Sequence, residues 1–345
     1  MKIENHLRSR LDNLKLPQEC RPLLENIMFM ARYKYDNYEL YKPGRRFLSH
    51  LIPWLQQFSE KERIVMVKLI DNLIYISERE MQSLATIMFR KIRHELLNEI
   101  ILDENLDDFD YNTAYSEYFQ EYLDKSIFIG MSDGSRIGYF RRHSRVLPRN
   151  SVLEYYKIDE WEKKKLAQKR FAFLIDDFCG SGYTFIREEE EIGKKKVDGQ
   201  LQRFVERWSK FVHFEHVFYC PYIITEKAYA RLTDLIFGSK KIIDIPARFK
   251  ILYSMIIPAD HSCVFGPSRI FSSSDLERIK RICDVYYEQF EEDENIKKGG
   301  GCRYGFRETA LAIVLYHNTP NNCIYLLWNT SNNWQPLFPR ISKHR

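Results

Sequence analysis

The sequence predicts an α/β protein whose N-terminal part is helical, and three observations carry that expectation. Before residue 130 glycine occurs once, at Gly44, and apolar residues recur at helical spacing. From about residue 125, short apolar runs alternate with charged, helix-like stretches, the pattern of a sheet flanked by helices. Within that second region FAFLI (171–175) is a five-residue apolar run of buried-strand type that leads directly into Asp176 and Asp177.

In chain order, residues 1 to about 122 read as helices. Ser59 with Glu62, and Ser77 with Glu80, have capping-box spacing ahead of ERIVMVKLIDNLIYI and MQSLATIMFRKIRHELL. Met66, Leu69, Ile70, Leu73 and Ile74 share one helical face. LDENLDDFD (102–110) is an acidic loop or linker. SIFIGMSDGSRIGYF (126–140) reads as a strand, a turn at Asp133-Gly134, and further extended or helical chain. SVLEYYKIDEWEKKKLAQKR (151–170) reads as a charged helix. FAFLI is a strand, followed by the acids, a loop and a helix. HVFYCPYII (216–224) is the next buried strand and KIIDI (241–245) a candidate one. Ser274 and Glu277 have cap spacing for a helix to about 290, and KKGGG (297–301) is a flexible loop. ALAIVLYH (310–317) and CIYLLW (323–328) read as strands of a hairpin turning at 318–322.

At 345 residues, two domains are expected from the usual ~100–200 residues per domain. The division falls at 1–122, helical, and 123–345, α/β. A net charge of +5 admits an anionic ligand without arguing for nucleic acid. The lysine runs at 163–165 and 194–196 read as solvated faces, with a nucleic-acid contact as the alternative. Seven scattered cysteines without a CxxC give no disulfide or zinc framework and point to a reducing compartment. The start, MKIENHLRSRLDNL, lacks the apolar core of a signal peptide, and no apolar run approaches the ~18 residues of a membrane helix. A cytoplasmic, soluble protein with no membrane association is expected.

The chemistry concentrates after FAFLI. Ligands of open α/β sheets bind beyond the carboxyl ends of strands. In that position Gly180 and Gly182 would let the backbone approach a ligand, while Ser181 and Thr184 offer hydroxyls. A loop that opens a helix gathers free N–H groups at its positive end and suits a phosphate. The two carboxylates repel phosphate and would face a ribose diol, with or without Mg²⁺. Diol on the acids and phosphate in the loop describes a phosphorylated ribose.

DDFCGSGYT (176–184) resembles the phosphoribosyl-pyrophosphate (PRPP) signature of type I phosphoribosyltransferases: an apolar strand, two acids, three variable residues, then Thr/Ser-Gly-x-Thr/Ser. The resemblance implies a doubly wound, mostly parallel sheet preceded by the helical domain, and glycosyl transfer as the reaction. It implies that Asp176 and Asp177 meet the ribose hydroxyls and hold Mg²⁺, directly or through water or ribose. Cys179, Gly180, Ser181, Gly182, Tyr183 and Thr184 would cradle the 5′-phosphate. Gly180 departs from purine-salvage members, which often carry an acid there. A second stretch, Ser132, Asp133, Gly134, Ser135 and Arg136, would be the family's pyrophosphate loop, with Arg136, Arg141 and Arg142 facing the diphosphate. Asp176, Asp177 and Arg136 are the residues implied for catalysis. The layout, with WLQQF (54–58), SDGSRIGYFRR, LIDDFCGSGYT and HNTPNNCIYLLW, is also similar to phosphoribosyltransferase-like effectors of bacterial conflict and anti-phage systems. That likeness implies a defence role and a protein partner met through the helical domain.

Other readings stay open at this point. A strand ending in a capped helix explains two acids by the helix dipole alone. Ser-Asp-Gly is also an ordinary turn. A protein that binds a nucleotide without turning it over, and signals through its helical part, fits the same motif. GxxxxGK[ST] is absent, which argues against a kinase-type phosphate loop. CGSGY lacks the second cysteine of the CGSC[WY] protease signature, and neighbouring acids raise a thiol pKa. His213 and His216 have metal-ligand spacing only on a helix, whereas they precede a strand.

Overall fold

A computed structural model describes residues 11, 13–132, 135–144, 147, 151–156, 166–191, 194–208, 214–239, 241–245, 247–288, 303–330 and 333–340. KKGGG, His213, and Asp133-Gly134 lie outside them, as does 157–165 of the stretch expected to be a charged helix. Among the described residues no helix is long and apolar enough to cross a membrane. The cysteines described are buried and unbridged.

The chain divides into two compact units, residues 1–78 with 259–345, and residues 79–258. This division does not follow the boundary expected at 122. The first unit gathers the helices Arg21–Tyr33, Phe47–Gln56, Glu60–Asp71 and Ser273–Tyr287. Glu60–Asp71 starts where the sequence expects, with Ser59 N–H donating to Glu62 Oε2 at 2.8 Å. It stops at Asp71, however, and Ile74–Ile76 is a strand, paired in parallel with Ile313–Leu315. The β-branched Ile74, Ile76, Ile313 and Val314, with the aromatic Tyr75, favour that state over helix. Ser272, not Ser274, caps the helix Ser273–Tyr287: its hydroxyl accepts from Asp275 N–H at 3.2 Å. The expected hairpin of 310–317 with 323–328 does not form. Tyr325–Leu327 is instead a 3₁₀ turn whose Leu326 carbonyl accepts from the indoles of Trp54 and Trp334. A short apolar run cannot tell a strand from a buried helical turn. The Phe338 ring lies among Tyr35, Tyr38, Tyr41, Phe47 and Tyr75.

The second unit holds the sheet. Its strands are β1 (Ser126–Gly130), β2 (Val152–Glu154), β3 (Phe171–Cys179), β4 (His216–Thr225), β5 (Arg248–Ile251) and β6 (Met255–Ile257), and all pairings are parallel. The spatial order is β2-β1-β3-β4-β5, with β6 continuing along the same edge of β4 as β5. Strands buried on both faces read as continuous apolar runs, which is why FAFLI and HVFYC show no alternation. One face stacks Phe128, Phe173 and Phe218, adjacent in register, with ring centroids 5.1 and 4.7 Å apart. Phe140 of the helix Ile137–Ser144 packs on Phe128, and Phe89 of the helix Glu78–Asp103 packs on Phe140. The other face presents Ile127, Ile129, Ala172, Leu174, Val217 and Tyr219 to the helices Gln200–Trp208 and Glu226–Phe237.

Two expectations fail in this unit. Residues 152–154, read as helix, form β2 on the edge of the sheet. KIIDI is not a strand, because β5 and β6 take the free edge of β4, and Ile242 N–H returns to Leu235 O behind the preceding helix. Pro221 of β4 lies between the segments paired with β5 and β6. Without an N–H it is tolerated only where a ladder is interrupted.

Candidate functional site

The strand order reverses direction between β1 and β3, and a crevice at such a switch point is where open α/β sheets take ligands. The last pairing of β1 sets Gly130 against Ile175, and Met131 N–H donates to Ile175 O at 2.8 Å. β3 runs on to Cys179 beside β4 alone. Asp176 and Asp177 are thus strand residues that project past the end of β1, not loop residues after β3.

The turn after β1 reaches them. Ser132 Oγ donates to Asp176 Oδ1 at 2.7 Å and approaches Asp177 Oδ1 at 3.3 Å. Asp177 N–H also donates to Asp176 Oδ1, at 3.1 Å, and the Tyr219 hydroxyl of β4 donates to Asp176 Oδ2 at 3.3 Å. Asp176 is 6% exposed. Burial, with Asp177 beside it, pushes its carboxyl up to about 8, against the lowering effect of the Ser132 hydroxyl. Burial and the neighbouring Asp177 thus favour the neutral form of Asp176, and a cation or a sugar hydroxyl beside it would draw the carboxylate out.

The two stretches singled out by sequence thus converge: Ser132 joins Asp176 and Asp177. Ser135 is 3% exposed and packs under Gly130, where a Cβ would meet Ser135 Oγ at 2.6 Å. A cavity of about 510 Å³ opens here, lined by Ser132, Ser135, Arg136, Gly138, Arg142 and Tyr156 among others. Arg136 has a left-handed backbone, φ 47°. Arg141 is exposed and is not among the residues lining the cavity.

The loop 180–186 departs from expectation in one respect. It does not run into a helix but into a two-stranded hairpin, Arg187–Glu191 with Lys194–Asp198, and the helix Gln200–Trp208 follows only afterwards. The helix nevertheless begins at the loop. Gln200 N–H donates to Thr184 O at 3.0 Å and Leu201 N–H to Phe185 O at 2.9 Å. The hairpin is an insertion into what would otherwise be the first helical turn. Gly182, φ 73°, makes the turn, and Ile186 N–H closes on Gly182 O at 3.0 Å. Ser181 is buried, its hydroxyl accepting from Tyr183 N–H at 3.4 Å, and Thr184 is exposed. The Cys179 side chain belongs to the core, and burial pushes its thiol up to about 12. The thiol lies against the Gly182 backbone and the Tyr219 hydroxyl, and so deep a burial excludes nucleophilic sulfur.

Four residues that sequence reading missed complete the site. Tyr219 holds Asp176. Thr225 caps the helix Glu226–Phe237 and donates its hydroxyl to Gly180 O at 2.6 Å. Gln200 Nε2 donates to Met131 O at 2.8 Å, tying the helix head to the turn after β1. Arg231 lies against Tyr183 with its guanidinium carbon 3.8 Å from the ring centroid. The signal for Thr225 was present, a hydroxyl residue ahead of a helical stretch. The others act across the fold and carry no local pattern.

The donor set at the acids is two carboxylates and a hydroxyl, all oxygen, which suits a hard cation. No group of three or more His, Cys, Asp or Glu able to hold a metal occurs among the described residues. A Mg²⁺ here would fit only by drawing its remaining ligands from substrate and water.

The family model PRTase-CE matches residues 51–340. No curated protein and no solved structure matches the chain.

Proposed function

We propose, for a chain that belongs to the PRTase-CE family of phosphoribosyltransferase-like proteins, that the switch-point crevice binds PRPP or a closely related ribose phosphate and transfers its ribosyl group. The fold is of the type I phosphoribosyltransferase kind, and a phosphoribosyltransferase-like function follows from the family. The finer reading rests on one observation, the Ser132 hydroxyl bridging Asp176 and Asp177, which brings a diphosphate-type turn and a diol-binding acid pair together.

In this reading Asp176 and Asp177 accept from the 2- and 3-hydroxyls of the ribose. The loop Gly180–Thr184 holds the 5′-phosphate through its amides. Ser132, Ser135 and Arg136 surround the diphosphate, a role the sequence resemblance extends to Asp133 and Gly134. The C1–oxygen bond to diphosphate breaks, the diphosphate leaves with the bonding pair, C1 gains a bond to the acceptor, and the acceptor gives up a proton. The protein's share is to orient the sugar and stabilise the departing charge. Bound Mg²⁺ would neutralise diphosphate oxygens. A role as a defence effector with a protein partner rests on the sequence likeness of the whole layout.

Gly180 favours a second reading, a sensor that binds without turnover, because no acid stands where purine-salvage members place one. Calorimetric titration of PRPP with Mg²⁺ tests the site: wild type binds and Asp177→Asn loses most of the affinity. Equal binding by both, or none by wild type, rejects it. Release of diphosphate with any acceptor selects the enzyme, and binding without release selects the sensor.

A further inference from the structure

In a continuous strand–loop–helix the helix backbone itself fixes the phosphate loop. Here a hairpin separates loop from helix in the chain, and the bonds of Gln200 and Leu201 hold only Thr184 and Phe185, so residues 180–183 take their support from elsewhere. The helix Glu226–Phe237 provides the support. Its cap Thr225 binds Gly180 O at one end of the loop. About two turns further on, Leu232 packs under Gly182, where an added Cβ would meet Leu232 Cγ at 3.1 Å. Beside Leu232, Arg231 makes three contacts with one guanidinium. It covers the Tyr183 ring. Its Nη1 donates to Ile186 O at 3.1 Å, and its Nη2 pairs with Glu188 Oε1 at 2.8 Å. The Arg231 side chain is largely buried. Only the planar fork of arginine can stack on a ring and donate to two separate acceptors at once; a lysine ammonium is a point charge without that geometry.

We propose that Arg231 is the positioning residue of the phosphate loop. It locks Tyr183, Ile186 and the first strand of the inserted hairpin into the turn that presents the loop amides to a phosphoryl group. This inference rests on the loop being the 5′-phosphate site. It adds that the loop's shape is set by a side chain from the next helix, and that the hairpin is coupled to phosphate binding through Glu188.

The test compares two probes, ribose 5-phosphate and inorganic diphosphate, titrated into the full chain. Arg231→Ala weakens ribose 5-phosphate about tenfold, the scale of one charge-assisted contact, and leaves diphosphate unchanged because Ser132 and Ser135 lie on a different strand end. Arg231→Lys recovers part of the loss. Glu188→Ala, at a partly exposed position that keeps the fold safe, shows a smaller loss in the same direction, about threefold, again confined to ribose 5-phosphate. Equal losses for both probes, or none for ribose 5-phosphate, overturn the role of Arg231. If Arg231→Ala does not melt cooperatively, Glu188→Ala decides alone, and unchanged affinity there overturns the proposal. A wild type that ignores ribose 5-phosphate rejects the phosphate-loop reading itself, and the role of Arg231 with it. A wild type that binds while both variants match it rejects only Arg231.

Discussion

Phe185 and Leu201 are hydrogen-bonded as partners in a helical first turn, Leu201 N–H to Phe185 O at 2.9 Å, although an entire hairpin separates them in the chain. Gly199 makes the return possible. Its φ is 116°, and a Cβ there would lie 2.6 Å from Phe185 O.

Gly199→Ala is therefore expected to destabilise the protein by about 1–3 kcal/mol, because the strained backbone and the clash with a carbonyl coincide. Gly182→Ala, where the Cβ meets side chains alone, Leu232 at 3.1 Å and Arg231 Nη1 at 3.5 Å, should cost less. Urea midpoints of the two variants check the order. A Gly182→Ala protein less stable than Gly199→Ala contradicts it.

Asp176 gives stability a pH dependence of definite sign. Its ordinary value is 3.8, and burial with Asp177 raises it to about 8 in the folded chain. Between those values the folded state holds a proton that the unfolded state has lost. The contribution is complete below 3.8 and is lost as pH rises through 8. Thermal midpoints of wild type should fall between pH 5 and pH 9 relative to Asp176→Asn, which cannot ionise. Parallel curves for the two proteins would remove the buried-acid account.

The two-unit division predicts which fragments fold. Residues 79–258 contain the sheet and the helices on both its faces. A protein of 79–258 should unfold cooperatively. A protein of 1–122 lacks Ile313–Leu315, the partner of Ile74–Ile76, and the Phe338 ring among its tyrosines, so it should not. Circular dichroism with thermal melts separates the two, and a cooperative 1–122 fragment would reject the division.

What sequence reading captured was what local chemistry encodes. Apolar runs without polar interruption gave β1, β3 and β4, and Ser59 gave the start of its helix, because capping and burial act over a few residues. The acids and the turn at Ser132 were legible as residue types, and their meeting was not, since it depends on β1 ending at Gly130 while β3 continues. The pairing of Ile74–Ile76 with Ile313–Leu315 spans most of the chain, and nothing within either segment announces the other. The hairpin 187–198 was invisible for a different reason. Four glutamates followed by three lysines read as a solvated helical face as easily as a charged ladder, and the backbone return to Phe185 has no side-chain signature.

The short gap between Glu191 and Lys194 has a practical meaning. Because the bonds of Gln200 and Leu201 close the junction behind it, chain added between those two residues would lengthen an arm without altering the turn at its root. That makes it a natural port for a fluorophore or an affinity handle, carried on the hairpin that Glu188 ties to Arg231 and so able to report on the loop.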